Sequence, residues 1–261
     1  MSAHSNAATK LAANVARVLD GAQVPNLLWG WAALGFVQPE QEFPDLEFVI
    51  PDGVIPVACH ALKKAGYTIC EDKECGEFME DREDEFASLR GIEPHIYYHH
   101  VAEAHFHPKS TYLTISLLRQ SKSLPWLEDM TRSSHYLMIS HDPTVPGLLE
   151  YFSRGRRSLY PDQHPIKMLT PAAFTESIIR MLCWDIQVKP LLMFRWLGMF
   201  NAVKHQRIFT ASLRPNFQAA WNMYVKRTGN DRIFGFLRIR EQLIVTGELP
   251  ELLRCVDVSN I

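Results

Sequence analysis

Hydrophobic positions recur at two periods along this chain, and the switch between the periods divides it. Over residues 8–20 they fall at Leu11, Val15, Val18 and Leu19, one stripe of an amphipathic helix, with Gly21 as the expected terminator. Val24-Pro25-Asn26 reads as a turn. Leu27–Trp29 suits either a strand or direct entry into a helix, and Ala32–Phe36 favours helix. The pattern then alternates. In Asp45-Leu46-Glu47-Phe48-Val49-Ile50 every second residue shares a face. Pro51-Asp52-Gly53 ends this strand with turn chemistry. Val54–Ala65 returns to helical spacing with Gly66 as its cap, and Tyr67–Cys70 is a short strand.

Residues 71–93 are acidic and irregular, which predicts a solvated loop. Tyr112–Leu118 and Tyr136–Ser140 read as strands. Beyond this point the period is helical throughout. Thr170-Pro171 opens a helix that reaches Asp185, with Thr as the capping residue and Pro in the first turn. Further helices are predicted from Pro190 to Phe200, from Arg214-Pro215 to Arg227, and from Phe234 to Thr246, with a last turn over Pro250–Cys255. The expected architecture is α/β (α+β), a small mixed sheet flanked by helices and followed by an all-helical C-terminal part. The boundary falls between Pro161 and Pro171, giving an α/β domain over 1–165 and a helical domain over 166–261.

Charge sharpens that division. Residues 150–261 hold 16 Lys and Arg against 9 Asp and Glu, whereas residues 1–149 hold 11 against 20. A basic second half suits either docking onto the acidic first half or a phosphate-rich partner. The five cysteines form no recognisable disulfide framework, and Cys70 with Cys75 needs further ligands to make a zinc site. The opening MSAHSNAATK lacks the apolar core of a signal peptide. The longest apolar run, Leu27 to Val37, falls short of the roughly 20 residues that span a bilayer. The expectation is a cytoplasmic protein with reduced cysteines and no membrane partner.

Three groups of residues carry candidate chemistry. Asp45 and Glu47 lie on one face of their strand, about 7 Å apart along it. Such a pair is either two solvated acids on a half-exposed edge strand or two carboxylates brought together by a cation or a proton. His95, His99, His100, His105 and His107 crowd one stretch, and His105 alternates with His107 as strand neighbours do. They suit zinc, copper or iron, or else are histidines that pair with neighbouring groups. Arg119 and Lys122 follow a strand end, and Arg154, Arg156 and Arg157 form a compact basic patch. Both are phosphate contacts or ordinary exposed turns.

The run Leu28-Trp29-Gly30-Trp31 followed by Asp45-Leu46-Glu47-Phe48 resembles the nucleotidyltransferase fold. That fold has a helix opening on small residues, then an acid–apolar–acid strand, with a helical domain behind. The resemblance implies that Asp45 and Glu47 bind magnesium carrying a nucleoside triphosphate, and that Gly30 and Trp31 line the phosphate approach. Trp31 stands where the family has a second small residue. The family's third carboxylate is missing, since Tyr112–Leu118 offers only Thr114 and Ser116 and the nearest acid is Glu103. LLWGWAALGF, DLEFVIPD, HFHPKSTYLTISLLRQSKSLPW, SRGR and LTPAAFTESIIRMLCWDI together resemble a group of small fungal proteins with this fold. That group is suspected to include the arginine-containing cyclodipeptide synthases of fungal secondary metabolism.

The leading expectation from that resemblance is an aminoacyl-tRNA-dependent cyclodipeptide synthase, a transferase that needs no cofactor. One acid of the pair would act as general base toward the attacking amine, and the other would hold a cationic side chain such as guanidinium. The alternatives are magnesium-dependent nucleotidyl transfer to a small acceptor, and a non-catalytic relative that keeps the fold as a binding surface.

Overall fold

The computed structural model describes residues 3–37, 45–72, 75, 101–108, 113–127, 129–130, 136–140, 162–186, 190–204, 209, 211–226 and 230–250. They fall into two compact units, the first ending at Thr170 and the second beginning at Pro171. The acidic stretch is described only at Glu71, Asp72 and Cys75, and the closing turn only at Pro250; the Arg154, Arg156 and Arg157 patch lies outside the described residues, as do His95, His99 and His100.

The first unit opens with α1 (Ala3–Gly21), longer at its start than the apolar stripe indicates. Its buried side centres on Ala12, Val15, Ala16 and Leu19, while Leu11 and Val18 sit at the margins. Gly21 stays helical. The left-handed residue that turns the chain is Gln23, at φ 56°, and the Val24 N–H closes the end on the Leu19 carbonyl at 2.9 Å. Asp20 then ties this end to a later segment. It accepts hydrogen bonds from Asn26, His164 and Lys167 at 2.8, 2.8 and 3.2 Å. Burial pushes the Asp20 carboxyl up, but these three partners more than offset it and hold it below its usual range.

The chain then forms β1 (Leu27–Trp29), α2 (Gly30–Val37) and β2 (Asp45–Ile50), and after a turn at Asp52–Val54 it forms α3 (Ile55–Lys64). Gly66, at φ 93°, caps that helix as its position predicts. Next come β3 (Ala104–Phe106), β4 (Thr114–Arg119), the short α4 (Gln120–Ser123), β5 (Leu137–Ile139) and β6 (Lys167–Leu169). The main sheet has the order β1-β2-β4-β3. β2 runs antiparallel to β1 and parallel to β4, and β3 pairs antiparallel with β4. β5 and β6 make a separate antiparallel pair, and β6 was not apparent in the sequence pattern. Tyr67–Cys70 contributes one bridge, Ile69 to Phe106, rather than a full strand. The result is mixed α/β with a small mixed sheet.

The second unit is helical among its described residues: α5 (Pro171–Asp185), α6 (Pro190–Val203), α7 (Pro215–Lys226) and α8 (Asn230–Val245). α5 is buried almost all round, so its charged residues must be paired inside. Trp196 donates its indole N–H to Asp185 at 2.7 Å. Glu176 accepts the Arg214 backbone N–H and its Nε, both at 2.8 Å. Glu248 accepts from Arg180 and, at 2.7 Å, from Arg214. The ring of Phe217 meets both guanidinium groups, at 4.5 and 4.8 Å from its centroid. Phe217, Ala220, Trp221 and Tyr224 form the buried stripe of α7, and Phe200 of α6 stacks on Trp221 at 5.0 Å.

This four-member network makes a stability prediction. Burial pushes the Glu248 carboxyl up, but Arg180 and Arg214 more than compensate and lower it below the ordinary 4.5. A carboxylate with a depressed folded pKa contributes stability above its unfolded pKa and loses it as pH falls through the folded value. Glu248→Gln is therefore expected to cost about 2 kcal/mol at neutral pH, the scale of a hydrogen bond to a charged group. The difference from wild type should shrink as pH drops below 4.5, as read by urea denaturation across a pH series.

Candidate functional site

The strand register fixes where the acid pair lies in the sheet. β2 lies between β1 and β4, so it is an interior strand and not the half-exposed edge that two solvated acids would need. Leu46, Phe48 and Ile50 are fully buried on one face, as the alternation predicts. On the other face Val49 is fully buried and Glu47 is 3% exposed, while Asp45 at the strand start is half-buried. Glu47 pairs with Trp29 on one side and Ser116 on the other, and Asp45 pairs with Thr114. Directly opposed residues project to the same face about 5 Å apart. Thr114 and Ser116 thus stand beside the acids, and both are buried.

Gly30 belongs to the same end of the sheet. The chain leaves β1 one residue after the Trp29–Glu47 pairing and turns into α2 through Gly30 at φ 67°. That conformation favours a residue without a Cβ. The first turn of α2 therefore begins beside the acid-bearing strand. Trp31 follows in that turn and is itself 4% exposed.

Arg119 and Lys122 do not join this group. Asp45 pairs with the first residue of β4 and Ile50 with its last, Arg119, so Arg119 lies about 16 Å further along the parallel strands. Its Nε donates to Glu103 at 2.6 Å, and this pairing holds the Glu103 carboxyl below its usual range. Lys122 lies in α4, where the neighbouring Ser121 donates its backbone N–H and its hydroxyl to Asp52 at 3.1 and 2.6 Å. Those bonds lower the Asp52 carboxyl below its ordinary value. At this end of the sheet Arg119 is paired with Glu103 and Ser121 with Asp52.

The structure assembles a second group. Cys70 and Cys75, isolated in the sequence, meet His105 and His107, and all four potential ligand atoms lie within 4.8 Å of one another. The alternation of His105 and His107 was the legible half of this cluster. The Ile69–Phe106 bridge that delivers the cysteines had no local signal. Among the described residues no helix is long and apolar enough to cross a membrane.

Gly30→Ala is expected to destabilise the chain by about 1 kcal/mol, the cost of forcing a Cβ into the left-handed region. A lowered urea midpoint with an unchanged denaturant slope would show it. Comparison of the chain with known protein families, with curated proteins and with solved structures finds no match.

Proposed function

We propose that the chain is a transferase with a nucleotidyltransferase-like fold, working at Asp45 and Glu47. In this reading it moves a nucleotidyl group from a magnesium-bound nucleoside triphosphate to a small acceptor. The observation that carries the reading is the junction of β1 and α2. Left-handed Gly30 opens a helix one residue past the pairing of Trp29 with Glu47. The N–H groups of a helix start favour phosphate, whereas two carboxylates beside it repel phosphate unless a divalent cation lies between them. Asp45, Glu47, Thr114 and Ser116 offer only hard oxygen donors, which suits magnesium. When bound, the ion would supply charge neutralisation at the transferred phosphorus. Buried Glu47 would be held rigidly by its strand, and half-buried Asp45 would be the member open to an incoming ligand.

A second reading is amide formation from aminoacyl-tRNA, giving a cyclodipeptide without a cofactor. It is favoured by the hydroxyls of Thr114 and Ser116 where a third acid would stand. An acid pair with no third carboxylate suits a general base and a cation anchor as well as it suits a metal. It ranks second because the basic excess of the C-terminal half is partly internal. Arg180, Arg195 and Arg240 are 2–3% exposed, and Arg214 is bound to two carboxylates. The three buried arginines do not contribute a surface for a nucleic-acid backbone, and Arg214 is already engaged.

Calorimetry with ATP and magnesium is expected to show binding that weakens at least tenfold without magnesium and is lost in Glu47→Gln and Asp45→Asn. Absence of triphosphate binding under either condition would sink the nucleotidyl reading. Expression in a host that supplies aminoacyl-tRNA tests the second reading. New diketopiperazines in the extract, abolished by Asp45→Asn, would establish it in place of the first.

A further inference from the structure

We propose that Cys70, Cys75, His105 and His107 form a zinc site that fastens the outer edge of the main sheet. The sheet builds it in three steps. β3 is the edge strand, and its alternation sends His105 and His107 to one side. Ile69 bridges Phe106 in antiparallel sense, so Cys70 falls directly across from His105, and the Cys70 N–H donates to the His105 carbonyl at 2.9 Å. The Cys75 N–H then bonds back to the Asp72 carbonyl at 3.2 Å, which returns the second thiol to the first.

The distances are those of a tetrahedral ion. With zinc–nitrogen bonds of 2.0–2.1 Å and zinc–sulfur bonds of 2.3 Å, tetrahedral edges are about 3.3 Å for N to N and about 3.6 Å for S to N. His105 Nε2 lies 3.2 Å from His107 Nε2, and Cys75 Sγ lies 3.5 Å from the same His107 Nε2. The longest separation in the group is 4.8 Å or less, whereas the S to S edge is about 3.8 Å, so closure needs a side-chain movement of no more than about 1 Å. Hydrogen bonding alone explains the cluster poorly. One Nε2 carries either a proton or a lone pair, yet the His107 Nε2 faces both a ring nitrogen and a thiol. A metal takes a lone pair from all four.

The donor set names the ion and its role. Two thiolates and two imidazoles in tetrahedral array select zinc over the hard cations suited to Asp45 and Glu47. Four protein donors leave no open position, which marks a structural site rather than a hydrolytic one. His105 is fully buried while His107 is exposed, so the ion has a route in and a fixed seat. The site joins Cys70 and Cys75 to histidines 30 and 32 residues beyond Cys75, so the metal would tie together positions far apart in sequence. None of this depends on what the acid pair does.

The test is metal analysis of the full chain, purified without a histidine tag and under reducing conditions. About one zinc per chain is expected. A chelator should remove it and lower the thermal midpoint by roughly 5 °C or more. Cobalt added to the stripped chain should give the visible absorption of a tetrahedral thiolate site. Cys70→Ser with Cys75→Ser should abolish both signals. His107→Ala, at an exposed position, should reduce zinc occupancy at least tenfold in a chain that stays folded. Asp45→Asn and Glu47→Gln should keep zinc in full, which separates this site from any cation at the acid pair. Failure of the reduced chain to bind either zinc or cobalt would overturn the proposal. So would zinc retained in the cysteine and His107 variants, or zinc lost with the acid pair.

Discussion

The parallel pairing of β2 with β4 is the constraint on which the first unit turns. β2 is the inner strand with β1 on one side and β4 on the other, and it is buried on both faces from Leu46 to Ile50. A buried interior strand is ordinarily apolar throughout, because a carboxylate removed from water costs several kcal/mol unless it is matched. Glu47 breaks that rule in the middle of the strand. Its neighbours across the register are the indole of Trp29 and the hydroxyl of Ser116. A buried carboxylate in line with a half-buried acid and a left-handed glycine is what sets this strand apart from an ordinary apolar interior strand.

Local signals were legible wherever neighbours in sequence decide the outcome. The bounds of β2 and α5, the Gly66 cap and the turn after Ile50 all follow from alternation, helical spacing and glycine chemistry within a few residues. The termination of α1 followed the same logic but fell on Gln23, because the helix ran through Gly21 before turning. Leu27–Trp29 was ambiguous by itself and became a strand through its pairing with β2. β6 is three residues long and has meaning only beside β5, so its pattern carried too little information.

Composition does not separate surface from interior. The basic excess of the C-terminal half reads as suiting either docking onto the acidic half or a phosphate-rich partner, and within it Arg180, Arg195 and Arg240 are buried. Arg180 and Arg214 share Glu176 and Glu248 and enclose Phe217. These arginines act as internal ties. Burial lowers the Arg180 guanidinium pKa against the pull of Glu248, the signature of a cation held inside by its partners. A count of charges cannot reveal this, since Glu248 lies 68 residues from Arg180 and 34 from Arg214, and Glu176 lies 38 from Arg214.

The two candidate sites meet in one row of the sheet. Reading across the register gives Trp29, Glu47, Ser116 and His105 on neighbouring strands, all buried and all on one face. With strands about 4.8 Å apart, Glu47 and His105 lie about 10 Å from each other. Along that short path the donors change from carboxylate and hydroxyl oxygen to ring nitrogen and thiol sulfur. Ligand softness is what keeps adjacent metal sites from exchanging their ions, because oxygen sets favour magnesium and sulfur–nitrogen sets favour zinc. Ser116 stands between the two sets and pairs with a member of each. The outer fastening of β3 therefore bears on the strand whose hydroxyls flank the acid pair. A loosened edge would be felt at Glu47 through the position of β4 and not through any shared ligand.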